Sequence, residues 1–147
     1  MGLFSGFRGK DPLDRKFNTY EAASGILLSV LASDGEISDT EVEAFNFVAN
    51  RHPIFASQSA QDFRIMVEEQ CSILRRHGWE VLADKAASCL PDQMRGTLFA
   101  LAVDFVLADG RVETAEENMI DSLRGKLHIS DEDARKTIEV LATKNSI

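Results

Sequence analysis

The sequence predicts an all-α protein, a single bundle-like domain of about seven helices with an internal pseudo-twofold repeat of helix pairs. Almost every segment places apolar residues at helical spacing. No segment shows the run of alternating β-branched residues that is typical of a strand. A chain of 147 residues with 44% apolar residues and three prolines suits one domain with an ordinary core.

The first three helices are defined by apolar spacing and by residues that start or stop a helix. We expect the first from Asn18 or Thr19 to the Asp34-Gly35 turn, the second from about Asp39 to Asn50, and the third from Ser59 to Gly78. Their predicted core faces consist of Tyr20, Ala23, Leu27, Val30 and Leu31, then Val42, Phe45 and Val48 or Ala49, then Phe63, Met66, Val67, Cys71 and Leu74.

Four further helices complete the predicted bundle. The fourth runs from Trp79 to about Ser88, and the sixth from about Thr114 to Leu127. The fifth, Met94 to Ala108, is apolar nearly all round and is therefore predicted to be the most buried. The seventh begins after Ser130 and carries Ala134, Ile138 and Leu141 on its apolar side.

Charge divides the chain into two parts. The whole chain carries a net charge of −8, whereas residues 1–16 carry +2 and include Leu3, Phe4 and Phe7. We therefore predict a flexible apolar and basic arm over 1–16 and a helical domain over 17–147. An acidic domain repels phosphate backbones, so nucleic-acid binding is disfavoured, while protein partners and metal cations stay open.

The apolar segments and the two cysteines of the sequence predict the cellular compartment. No apolar run approaches the roughly 20 residues of a membrane span, and the start lacks the apolar core of a signal peptide. Cys71 and Cys89 lack metal or redox spacing and are predicted to be buried, reduced thiols. We expect a cytoplasmic protein, with the arm either contacting the inner face of the membrane or docking Phe4 and Phe7 on this protein or a partner.

An internal repeat relates two stretches at an offset of 75 residues. Ile26 to Phe45 reads ILLSVLASDGEISDTEVEAF, and Leu101 to Ile120 reads LAVDFVLADGRVETAEENMI. The alignment places Asp34-Gly35 on Asp109-Gly110, Ile37 on Val112, and Glu41 on Glu116. It predicts two pairs of helices, each with a Gly-containing turn between its members.

This doubled motif resembles the tellurite-resistance TerB family and the wider TerB-like domains. The resemblance extends from about Thr19 to Ile147, and the second copy departs from the fully acidic motif at Arg111, Ala115 and Glu117. It implies an all-helical domain, acidic positions that bind metal, and a role in the response to tellurite and other toxic insults.

The acidic residues of the two copies are the candidate metal ligands. An ordinary EF-hand loop is excluded, because its first and third ligand positions fall on Val30 and Ala32, which have no side-chain oxygen. Each motif could still act as half of a binding loop. If the fold brought the two halves together at one end of the bundle, several carboxylates would lie close to one another. The predicted set is Asp34, Glu41, Asp104, Asp109 and Glu116, for calcium, magnesium, manganese or zinc.

Helix capping is the alternative interpretation of the same residues. Ser38 with Glu41, and Thr114 with Glu117, have the spacing of a capping box, in which each partner binds a free backbone N–H of the other. Asp before Gly is also a common turn. The sequence leaves both interpretations open.

The sequence contains no catalytic constellation that we recognise. We therefore predict a non-enzymatic module that needs no cofactor to fold and acts through protein contacts, with weak divalent-metal binding at its acidic end. The alternative is a small cytoplasmic hydrolase or redox enzyme that uses Asp104 or a cysteine.

Overall fold

The computed structural model describes residues 11–35, 37–108, 112 and 114–146. Within this part of the chain it contains seven α-helices and no strand, which confirms the predicted class. The helices are α1 (Thr19–Leu31), α2 (Asp39–Ala49), α3 (Ala60–His77), α4 (Trp79–Cys89), α5 (Arg95–Leu107), α6 (Thr114–Lys126) and α7 (Asp131–Lys144). No helix described here is both long and apolar enough to cross a membrane.

Local capping explains why the first three helices and the last begin where the sequence predicts. Asn18 and Ser38 each form a complete capping box, with Glu21 and Glu41. A serine side chain, from Ser59 or Ser130, accepts a backbone N–H in the first turn of α3 and α7. At the joint between α3 and α4, Gly78 has φ +87°, a conformation that favours glycine.

Helix α1 lies at the centre of the bundle and contacts α3, α4, α5 and α6. Ten of its residues are buried, against five in α5. The prediction that the fifth helix is the most buried is therefore wrong. The two helices are about equally apolar, but α1 is the one that is packed on several sides.

Two predicted buried positions, Ile138 and Cys89, are more exposed than expected, and the choice left open between Val48 and Ala49 is decided. Val48 is 52% exposed while its neighbour Ala49 is buried, so the structure selects Ala49 for the core face of α2. Ile138 is 38% exposed on α7. Cys71 is buried as predicted, but Cys89 is only half-buried, and both are free thiols.

A buried carboxylate ties the segment before α1 to the bundle. Glu21 accepts hydrogen bonds from the Arg15 guanidinium (2.8 Å) and from the backbone N–H of Asn18 (3.0 Å), and Arg15 also binds Glu69 on α3 (2.6 Å). Burial by itself raises the pKa of Glu21, but these hydrogen bonds and the charge of Arg15 outweigh it, so the net pKa is lowered.

We expect this carboxylate to make stability fall in acid. Because the pKa of Glu21 is lowered from its ordinary value near 4.5, its contribution is complete above that value and is lost as the pH falls through the lowered folded-state pKa. Urea unfolding at neutral and acidic pH measures the loss. Glu21→Gln should reduce this pH dependence, and an unchanged dependence in that variant would assign acid unfolding to other carboxylates.

Candidate functional site

The first Asp-Gly turn follows α1. Gly35 has φ +133°, in the region that glycine favours, which explains the glycine of the motif. Asp34 is exposed in this turn. Its carboxylate does not continue the core-facing stripe of α1, because the chain leaves helical geometry after Leu31 and turns the position toward solvent.

Glu41 has the contacts of a capping residue. Its backbone N–H donates to Ser38 Oγ at 3.1 Å, and its side-chain Oε1 accepts the backbone N–H of Ser38, also at 3.1 Å. The capping interpretation of this pair is therefore confirmed. One carboxylate oxygen is already used at the start of α2.

Asp104 joins α5 to the end of α7. Lys144 Nζ donates to its two oxygens at 3.0 and 3.2 Å, and Asn145 Nδ2 donates to Oδ1 at 2.9 Å. Burial raises the pKa of Asp104, but hydrogen bonds from Asn145 and Lys144 and the lysine charge outweigh it, so the pKa lies below its ordinary value. The carboxylate therefore stays ionised and compensated by protein groups.

The second motif is described only in part. Asp109 lies outside the described residues, and Glu116 is half-buried in the first turn of α6. Helix α6 begins at Thr114, so Thr114 is its first helical residue rather than the capping residue that was predicted. Spacing alone does not distinguish a cap from the first helical position.

The described acidic residues do not by themselves form a metal centre. Within residues 11–35, 37–108, 112 and 114–146, no three His, Cys, Asp or Glu side chains are grouped so as to hold a metal ion. Asp104 is paired with a lysine, and Glu41 caps a helix. The five-residue metal site, which also needs Asp109, stays a prediction from the sequence.

Calorimetric titration with calcium, magnesium, manganese and zinc tests this prediction. A pooled site should bind weakly, because water must complete the ligand shell. Asp34→Asn with Asp109→Asn should then abolish binding while circular dichroism stays unchanged. Capping alone predicts a stability change of about 1 kcal/mol or less for the double variant, since Asn caps nearly as well as Asp. Flat titrations of the native protein with all four cations would contradict the metal site.

The two cysteines have different environments. Burial raises the pKa of the Cys71 thiol; the nearby charge of Arg75 lowers it, and Glu68 and Asp39 raise it further. A thiol with a raised pKa is a poor nucleophile, because the thiolate is the reactive form. Cys89 is half-buried beside Ser88, at 3.8 Å between Sγ and Oγ. These features favour a packing role for Cys71 over the redox alternative.

Sequence reasoning missed the outer face of α2. Phe47 is 62% exposed, next to the exposed Val48, and the Arg51 guanidinium lies 4.0 Å from the centre of its ring. Beside Phe47 is a groove of about 390 Å³ whose walls include Asn46 and Asn50. The only signal in the sequence was that α2 has more apolar residues than one helical face accommodates.

Two cavities are lined by residues that the repeat relates to one another. Ala32, Gly35 and Ile37 line one of about 440 Å³, together with Leu74, Arg75, Gly78 and Trp79. The repeat-related Leu107 and Val112 line another of about 330 Å³, together with Ile138 of α7. The helix pairs α1–α2 and α5–α6 also have nearly matching bounds at the offset of 75 residues. The twofold relation between the pairs stays a prediction.

Comparison with known proteins finds one family. The family model described as tellurite resistance protein TerB matches residues 20–138. No curated protein and no solved structure gives a significant match. The matched segment includes both Asp-Gly motifs and helices α2 to α6 in full.

Proposed function

Because the chain belongs to the tellurite resistance protein TerB family, we propose that it is a non-enzymatic helical module that acts in a stress response through contacts with other proteins. Members of this family are generally non-enzymatic helical domains. A role in resistance to tellurite or to other toxic insults accords with the family description.

The exposed face of α2 is the observation that carries the protein-contact part of this proposal. It presents an aromatic and an aliphatic side chain side by side, Phe47 and Val48, which are 62% and 52% exposed. Adjacent exposed apolar residues of this size are typical of protein interaction sites, in which aromatic residues are enriched.

Unpaired polar atoms beside this face support the same function. The side-chain oxygens of Asn46 and Asn50 are buried, and no group in the described part of the chain donates a hydrogen bond to them. Buried polar atoms are normally paired, and an unpaired one is costly. A partner segment lying in the groove would supply backbone N–H donors to both oxygens while covering Phe47.

Genetic complementation tests the proposal. We expect cells that lack the gene to become sensitive to tellurite or to another chemical stress, and the native protein to restore resistance. Phe47→Ser with Val48→Ser should fail to restore it, although the variant protein remains helical. Val140→Ser is the matched control, because Val140 is 67% exposed on α7, away from α2.

The other outcomes separate the competing functions. If the α2 double variant restores full resistance, the contact surface lies elsewhere. If deletion causes no sensitivity to any stress, the proposed role is contradicted. Loss of resistance in Asp104→Asn or Cys89→Ala, with the protein still folded, would instead favour the enzyme alternative.

A further inference from the structure

We propose that the cavity beside the first Asp-Gly turn, between that turn and the start of α4, is the docking site of this protein's own N-terminal segment, residues 1–10. The cavity has a volume of about 440 Å³. Its apolar wall is formed by Ala32, Ile37, Leu74 and Trp79, of which the last three are only partly buried. The inference is independent of the function proposed above.

The attachment point of the segment places it next to this cavity. Asp11, the first described residue, binds the last turn of α3, since its Oδ2 lies 2.7 Å from His77 Nε2 and 3.9 Å from an Arg76 nitrogen. His77 is followed directly by Gly78 and Trp79, which line the cavity. The ten residues before Asp11 therefore start at the same end of α3 as the cavity.

The chain is long enough to reach the cavity. Phe7 is four residues and Phe4 is seven residues before Asp11. An extended chain spans about 3.3 Å per residue, so these side chains reach about 13 and about 23 Å from the attachment point. A helix with its side chains is about 10–12 Å wide, so the segment can pass around the end of α3.

The chemistry of the segment matches the cavity. An apolar cavity of about 150 Å³ holds a benzene ring, so the larger space accommodates a phenylalanine side chain against Trp79. Arg75 lines the wall and forms no ion pair with any described residue, which leaves its guanidinium available to backbone carbonyls of the segment. The exposed carboxylate of Asp34, in the same turn as Gly35, offers an opposite charge to Arg8 and Lys10.

Trp79 reports directly on this docking, because it is the single tryptophan of the chain. Removing residues 2–10 should shift its emission to longer wavelength and increase its quenching by acrylamide. Phe4→Ser with Phe7→Ser in the full chain should give the same shift. Adding a synthetic peptide of residues 1–10 to the shortened protein should reverse the emission shift, and the reversal should saturate as the peptide concentration rises.

Substitutions in the cavity walls show which of the two cavities binds the segment. Ile37→Ser should weaken binding of the peptide, whereas Ile138→Ser, in the cavity between α5, α6 and α7, should leave it unchanged. Circular dichroism verifies that each variant is folded. The peptide titration is then measured on folded protein in both cases.

Two results would overturn the proposal. One is identical Trp79 emission and quenching in the full and shortened chains. The other is peptide binding that Ile138→Ser weakens and Ile37→Ser does not. If, in addition to unchanged Trp79 signals, only the full chain sediments with phosphatidylglycerol vesicles, the segment serves a membrane contact instead.

Discussion

Phe63→Ala is expected to destabilise the protein by about 3–5 kcal/mol, the usual cost of removing a buried aromatic ring. Phe63 is 1% exposed and packs between two other rings, with centroids 6.0 Å from Phe45 and 5.0 Å from Phe55. It thereby joins α3 both to α2 and to the short 3-10 helix Pro53–Phe55. The truncation leaves a cavity where three elements meet.

Chemical denaturation of the variant measures this loss, and Phe47→Ala provides the matched control. Phe47 is on the same helix as Phe45 but is largely exposed, so its truncation should cost about 0.5–1 kcal/mol, mainly the contact with Arg51. Equal losses for the two variants would contradict the burial of Phe63 and the exposure of Phe47. They would also contradict the proposed partner surface.

Gly25→Leu is expected to cost about 2–3 kcal/mol through overpacking. A Cβ atom placed on Gly25 would lie 3.0 Å from Ala86 Cβ and 3.4 Å from Leu82 Cδ1. The glycine therefore lets α1 and α4 approach closely at the centre of the bundle. A leucine side chain forces the two helices apart or leaves its preferred rotamers.

Gly96→Leu is the control for the backbone effect of this substitution. Gly96 is also helical, and nothing lies within 4 Å of a Cβ placed there. Exchanging a helical glycine for leucine gains up to about 0.8 kcal/mol of helix propensity, so this variant should be neutral or more stable. If thermal unfolding shows Gly25→Leu to be as stable as Gly96→Leu, α1 and α4 do not pack as closely as described.

The helices themselves were largely predictable because their signals are local. The boxes at Asn18 and Ser38 and the caps at Ser59 and Ser130 involve residues within three positions of one another, and all four helix starts agree with the structure. The family was predictable for a related reason. The doubled Asp-Gly motif is a pattern in the sequence, and the family model covers both copies.

The candidate site was predictable only in part. Glu41 has its capping role because Ser38 is three residues away, which the sequence shows. Asp104 was predicted to be a metal ligand, but its partners in the structure, Lys144 and Asn145, are 40 and 41 residues further along the chain. No local pattern relates such distant positions.

The sequence by itself determined the helical class, the starts of four helices and the family. These depend on hydrogen bonds and apolar spacing within a few residues. Only the tertiary structure decided that α1 is central, that Ala49 rather than Val48 is buried, and that Phe47 faces outward. The physical reason is that burial depends on which helices pack together. Adjacent positions such as Val48 and Ala49 fit the helical period almost equally well until a neighbouring helix covers one of them.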